Sequence, residues 1–563
     1  MLRRHLRLIA VIGFCSAVCP LSHAAGPRVD IIASPDAPSL EQRAVTELTG
    51  LLKQLFDAEV KAGADASPDA VAFFLAGSPA TNPAVKEAMG ANWPKLSEQG
   101  HLVRSVRWKN RPAVVVGGGS PAATLWAVSE FGHHFGMRSL LHRDFTPLEK
   151  AEFKLEGLDL VREPRVTTRA FQILDDDPTG FAGWGLADQK QLLRQLALMK
   201  FNRVVLRLEP TQPFVPASAA PDASPVCALF GGAVFPVSGD TPGRSVFRGA
   251  KQFENPDFAG LTSCDERRKA GIAYLRGLVE ESRTLGLSVG VMLKPAAGSS
   301  KEAQKALMDT LLSAVPGLER QDASGSVIAL REDSPGLLPQ IGLTRVAAEW
   351  QRAGASQDGS VIVTATLAGD LNPAAYFVAR AAFQESLTPE AALDDLVTPI
   401  CGPGVVDRLR TGFAKIDEAS ALVRKNFPEA GSPRPEMLRH VAQNLKSEAS
   451  LDWVTQARTN YTDAMNEMYR ANTRARDGAR QFTLYYAKRF ESALHWMTAL
   501  EATHKAERAE AGSDDQIAQR EAAVEAMYNA LSAFGEVARD QSDRGTIAVL
   551  NEYGYRPLVN ALE

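Results

Sequence analysis

Acidic residues fall where apolar runs that read as strands come to an end. Asp175-Asp176-Asp177 follow the run from Ala170 to Leu174, Glu209 follows Arg203 to Leu208, and Glu332-Asp333 follow Val327 to Leu330 by way of Arg331. A pair of carboxyl groups, one protonated and one ionised, can protonate a leaving group and activate water. Consecutive acids also repel, which raises the pKa of one of them toward the range useful to an acid catalyst. The same cluster can hold a hydrated cation or accept hydrogen bonds from hydroxyl groups, although it lacks the spacing of an EF-hand. Arg207 and Arg331 stand at strand ends as well, where a guanidinium offers paired N–H donors to a carboxylate unless Glu209 or Glu332 takes them first. Trp184 carries a ring able to stack on a ligand face or to plug a hydrophobic gap. For Glu332 and Asp333 the competing reading is a solvated loop pair, with Asp333 capping the helix that follows.

These strand ends need a scaffold. From about Thr168 the runs above, joined by Ser288 to Leu293 and Val361 to Thr364, alternate with helical patterns over Leu186 to Met199, Glu266 to Leu285, Glu302 to Leu312 and Ile341 to Arg352. Repeated strand–helix units with apolar strands predict a parallel sheet, open or closed into a barrel, whose active face is its C-terminal edge. Lys294 ends the third strand. The stretch from Pro210 to Ser263, rich in Pro, Gly, Ala and Ser, is too long for a bare connection and is expected to cover that edge.

Upstream, Arg28 to about Val161 reads as strands and helices of a separate α/β unit. Its turn Gly117-Gly118-Gly119-Ser120-Pro121 lacks both a P-loop lysine and GxGxxG spacing, so it reads as a tight structural turn, not a phosphate cradle. His133 and His134 close the next helix and read as charge partners of its C-terminal dipole. After Ser386 helices take over. There the stripe Phe482, Tyr486, Phe490, Leu494, Met497 and Leu500 has the period of a buried helix face. The expected architecture is therefore an N-terminal α/β sandwich domain over 25–162, a shortened (β/α) barrel over 163–385 and a helical domain over 386–563.

Composition narrows the function classes. In 563 residues, 45% are hydrophobic and 23% charged, and the net charge is −4, so bulk electrostatics gives no footprint for nucleic acid or an anionic membrane. Residues 1–24 read as a secretory signal: Arg3, Arg4 and Arg7 precede an apolar run from Leu8 to Val18, and Ser22-His23-Ala24 is a small-x-small cleavage site. Cleavage before Ala25 would send the chain to the periplasm or outside the cell. Of the cysteines left, Cys227 and Cys264 bracket the long loop and can staple it, and Cys401 is expected to be a buried thiol. GxSxG and HExxH motifs are absent, and nothing in the residues calls for a metal or cofactor.

Several short motifs, in order, resemble those of α-glucuronidases and related exo-acting glycoside hydrolases, including hexosaminidases. They are Val114-Val115-Val116-Gly117-Gly118 with Thr124 to Val128, Phe131 and Gly136-Met137-Arg138; then Arg169-Ala170-Phe171, Lys200-Phe201-Asn202-Arg203 and Phe253 to Phe258; then Asp333-Ser334-Pro335-Gly336, Ser360 to Val363, Asp370-Leu371-Asn372-Pro373 and Phe377 to Phe383, leading into Leu387-Thr388-Pro389-Glu390. The likeness covers most of 27–425. It implies a barrel fold and hydrolysis of a glycosidic bond in an oligosaccharide or polysaccharide fragment by two carboxyl groups. By analogy with hexosaminidases, Glu332 would be the acid and Asp333 its partner. Asp175, Asp176, Asp177, Trp184, Arg207, Glu209 and Arg331 would contact the sugar, the two arginines through a uronate carboxylate. Pro335 stands where the α-glucuronidase run carries its acidic residue, so the same resemblance also accommodates a glycan-binding or scaffold protein that has lost catalysis.

Overall fold

The computed structural model describes residues 26–147, 149–216, 227–295, 299–322, 325–332, 336–354, 359–445 and 451–562. The leader, Asp333 and Pro335 lie outside the described residues.

A first six-stranded sheet contains β1 (Arg28–Ile32), β2 (Glu59–Gly63), β3 (Ala72–Ala76), β4 (His101–Trp108), β5 (Arg111–Gly118) and β6 (Asp159–Arg162), in the order β2-β1-β3-β5-β4-β6. The first four strands of that order are parallel; β4 runs antiparallel to both neighbours. Helices α1 (Ser39–Phe56) and α3 (Pro121–His134) cover one face, and α2 (Pro83–Met89) packs on the other. The glycine turn after β5 is tight because a side chain would not fit: a Cβ on Gly118 would sit 2.5 Å from Ala123, and one on Gly119 would sit 1.9 Å from the Ser97 carbonyl oxygen. Ser120 caps α3 by accepting from the Ala123 N–H.

The second sheet holds β7 (Thr168–Ile173), β8 (Arg203–Leu208), β9 (Ser288–Leu293), β10 (Leu318–Arg320), β11 (Ser326–Ala329) and β12 (Ser360–Thr364), all parallel, in the order β10-β9-β8-β7-β12-β11. The first strand of this unit pairs with both its second and its last. Helices α4 (Leu186–Leu198), α5 (Cys264–Thr284), α6 (Lys301–Ala314) and α7 (Leu343–Gly354) connect the strands. The register aligns Ala170 and Gln172 with Val205, Gly290 and Ile362 on one face. Phe171, Ile173, Val204, Leu206, Val289, Val291 and Val363 lie on the other, buried against the helices.

From α8 (Asn372–Ala381) onward the chain is helical: α9 (Pro389–Cys401), α10 (Val406–Asn426), α11 (Met437–Asn444), α12 (Asp452–Arg474), α13 (Arg480–Ala506), α14 (Asp514–Gly535), α15 (Gln541–Leu550) and α16 (Arg556–Asn560). The α13 stripe is core, with Phe482, Tyr486, Phe490, Met497 and Leu500 all buried. One apolar cluster runs from Leu140 through the outer face of the second sheet to Leu550, so sheet and helices share a single core. Cys401 is buried within it, and burial pushes its thiol up to about 12.

His133 departs from the expected role. Its Nε2 lies 2.8 Å from the Tyr376 hydroxyl and 2.9 Å from Asp395, and burial together with the Arg380 charge lowers it to about 3. A neutral imidazole cannot serve as a cationic partner of the helix dipole.

Candidate active site

The inner face of the second sheet is paved at its base by Ala170, Val205 and Ile362, against which Met292 packs. Toward the C-terminal edge, where Ala329 is small, a cavity of about 460 Å³ opens. Met292, Leu293 and Val327 give it an apolar wall; Gln172, Asp175, Arg207, Lys294, Arg331 and Thr366 bring polar groups. This mixture of apolar wall and a few convergent polar groups is the usual make-up of a small-ligand site.

Asp175 follows β7 after Leu174, whose φ of 57° turns the chain sharply. Its Oδ1 has no hydrogen-bond partner among the described residues. Burial, with the neighbouring charge of Asp177 added, pushes its carboxyl up to about 7 against the opposing pull of Arg207. A carboxyl so placed is protonated at mildly acidic pH and can act as a proton donor. The loop that carries it is held closely: a Cβ on Gly180 would lie 2.7 Å from Asp175 Oδ1, and Ser542 Oγ donates to the Gly180 carbonyl at 3.1 Å.

The three consecutive acids do not converge. Asp176 accepts from Gln212 Nε2 at 3.0 Å and from the backbone N–H groups of Phe230 and Gly231 at 2.7 Å each, so it anchors the segment that follows β8. Asp177 accepts from the Thr179 N–H at 2.8 Å and its hydroxyl at 2.9 Å, an Asx turn that stiffens the loop. Among the described residues no group of three or more His, Cys, Asp and Glu side chains is arranged to hold a metal ion.

The cations differ in company. Lys294 pairs with Glu209 at 2.7 Å. Arg331 donates to the Leu338 carbonyl at 2.7 Å and lies 3.6 Å from Asp370, itself held by Arg489 at 3.1 Å and Tyr485 at 3.3 Å. Arg207 has neither an ion pair nor a hydrogen bond among the described residues and presents its guanidinium to the cavity.

Two expectations meet a different geometry. Trp184 is only 3% exposed; its indole N–H donates to Ser542 Oγ at 2.9 Å and its ring packs on Phe181, so it is a core plug and offers no stacking face to the cavity. Glu332 does not line the cavity. Its carboxylate pairs with Arg345 at 3.3 Å and with Arg424, beside a separate cavity of about 90 Å³ against α10. Glu332 is thus turned away from the cavity, and its expected partner Asp333 lies outside the described residues.

Gln172 and Thr366 were not foreseen. Gln172 shares its strand face with Ala170, so simple alternation from an inward alanine points to it. Thr366 has a buried hydroxyl without a partner among the described residues and stands in a loop that carries no strand pattern.

The long segment after β8 is partly described. Cys227 and Cys264 form a disulfide that ties it to the start of α5. Within it a short antiparallel ribbon pairs Phe235–Pro236 with Gln252–Phe253, and Phe230 stacks on Phe253 at 5.7 Å. It packs toward the C-terminal helices, where Phe235 meets Tyr553 at 5.5 Å.

No family model and no curated protein matches the chain. Among solved structures, a family GH115 4-O-methyl-alpha-glucuronidase with specificity for decorated arabinogalactans is similar over 94% of this chain and 80% of its own, at 14% identity and a TM-score of 0.57. A GH138 enzyme targeting pectin rhamnogalacturonan II covers 91% of this chain and 92% of its own at 9% identity, with a TM-score of 0.48. The first likeness extends across both sheets and the helices and shows a fold shared with a glycoside hydrolase.

Proposed function

We propose that this is an exported carbohydrate-active protein, a glycoside hydrolase of α-glucuronidase-like type acting on acidic oligosaccharides released from polysaccharide. The observation that carries the reading is Asp175, a carboxyl raised to about 7 in a cavity it shares with the unpaired Arg207. Asp175 protonates the departing glycosidic oxygen. Arg207 attracts the carboxylate of the sugar, and the wall of Met292, Leu293 and Val327 takes the C–H face of the ring. The second carboxyl that hydrolysis requires is assigned to Asp333, which follows the cavity-lining Arg331 two positions along the chain. The similarity in fold to a 4-O-methyl-alpha-glucuronidase supports this substrate class.

A second reading is a glycan-binding protein without catalysis. It is favoured by one observation: Asp175 is the sole carboxylate among the described residues lining the cavity. Hydrolysis of aldouronic oligosaccharides and aryl glycosides by the purified protein, beside Asp175→Asn and Asp333→Asn, separates the two. Turnover lost in both variants establishes the enzyme; binding without turnover in the unaltered protein establishes the binder. Export is tested by N-terminal sequencing of protein recovered outside the cytoplasm, which is expected to begin at Ala25.

A further inference from the structure

Two polar groups without partners face one cavity from neighbouring strand ends. The Arg207 guanidinium is unpaired among the described residues, and Asp175 Oδ1 has no hydrogen-bond partner there. Neither is at rest electrostatically: the positive charge of Arg207 favours the ionised form of Asp175, while burial and Asp177 favour the protonated form. An anion docking on Arg207 cancels the first of these influences, leaves the others in place and supplies an acceptor for a carboxylic O–H. We propose that the cavity takes up an anionic sugar together with one proton, the carboxylate or sulfate resting on Arg207 and the proton on Asp175. This rests on the reading of the cavity as a sugar site.

The other charged groups around Asp175 are already committed. On its own loop, Asp176 is held by Gln212, Phe230 and Gly231, and Asp177 by Thr179. From β8 and β9, Glu209 and Lys294 neutralise each other. From the ends of β11 and β12, Arg331 faces Asp370. From the α15 side, Asp543 accepts from Tyr485 and the Arg539 N–H, and Asp540 accepts from the Asp543 N–H. Arg207 is therefore the cation whose surroundings change when a ligand arrives.

The direction of the coupling is fixed. Asp175 titrates at about 7 in the free cavity and higher once the anion is bound, so binding between those values takes up a proton. Affinity for the anion then weakens as pH rises above neutrality, by up to about ten-fold per pH unit.

Calorimetry of the purified protein with D-glucuronate, glucose 6-sulfate and D-glucose, at pH 6 and pH 8 in two buffers of different ionisation enthalpy, tests this. The expected result is uptake of close to one proton per bound anion at pH 8, none for glucose, and anion affinity roughly ten-fold weaker at pH 8 than at pH 6. The anion that shows the uptake tells carboxylate from sulfate. Asp175→Asn should abolish both proton uptake and the pH dependence of anion affinity, and Arg207→Gln should abolish the preference for an anion over glucose. Anion binding without proton exchange would overturn the coupling and leave the sugar site standing. If none of the three sugars bound at either pH, the reading of the cavity itself would fall, and the coupling with it.

Discussion

Asp175 and Glu332 both follow the end of a strand, and nothing in their side chains distinguishes them. Their company does. Glu332 sits between Arg345 and Arg424, whereas Asp175 meets Asp177, an unpaired arginine across the cavity and a glycine too close to admit a side chain. A proton donor must hold its proton, so hydrolysis that depends on Asp175 should be strong below pH 7 and decline as its carboxyl ionises above that value. A pH–rate profile of kcat/KM checks this, and in Asp175→Asn the rate should fall by about 10²–10⁴. Trp184 makes the opposite kind of claim. Replacing it with Phe removes one indole hydrogen bond to Ser542 and should cost about 1 kcal/mol in chemical denaturation, with sugar affinity unchanged. A collapse of affinity would contradict its place in the core. These distinctions were beyond the sequence: burial raises both Asp175 and Asp177, and what sets Asp175 apart is that Asp177 accepts from Thr179 and Asp176 from Gln212, Phe230 and Gly231, three of these donors being distant along the chain.

At the scale of elements, strands buried on the helix side were legible. Arg203–Leu208 and Ser288–Leu293 are strands over the limits their apolar runs suggest, because burial of one whole face demands an uninterrupted β-branched or aliphatic pattern. Leu318–Arg320 was not legible, since a three-residue edge strand with two exposed charged residues carries no pattern. Nor was His101–Trp108, whose outer half alternates with arginines and whose turn into β5 uses Lys109 and Asn110, both at positive φ, where Gly would have signalled a hairpin. The segment after β8 was legible as more than a bare connection by length and composition, and its staple by the isolation of two cysteines, although none of its described residues lines the cavity. Closing a loop of 37 positions, the disulfide should contribute about 3–4 kcal/mol. A Cys227→Ser, Cys264→Ser double variant is expected to show a lower Tm and earlier proteolytic cutting within the segment. Helix α15 offers a sharper case. A Cβ on Gly545 would lie 1.8 Å from the Pro178 carbonyl oxygen, so Gly545→Ala, which would strengthen an exposed helix, should here push α15 off the loop of Asp175. The expected outcome is loss of stability together with a displaced pH–rate profile.

Across the whole molecule the units are locked by buried charge. Glu130 on α3 of the first unit receives Lys200, Arg380 at 2.8 Å and Arg162 at 3.1 Å, and these cations hold its carboxyl well below the usual range. Removing one member of such a cluster strands the rest in a low-dielectric interior. Glu130→Gln is expected to cost about 3–5 kcal/mol in denaturant unfolding, and a cost near zero would show that the units are not coupled through it. The sequence carries no local signal for this cluster, since the meeting of α3, β6, Lys200 and α8 depends on how the two units pack. The contact between Ser542 and Gly180 spans 362 positions of chain. Its consequence concerns timing: a ribosome has made the first strand and its acid long before the helix that braces them exists, so every nascent fragment short of α15 carries the chemistry without the geometry. The cavity is then among the last features to mature, and a protein translated in that order stays inert toward its ligand until synthesis is nearly over.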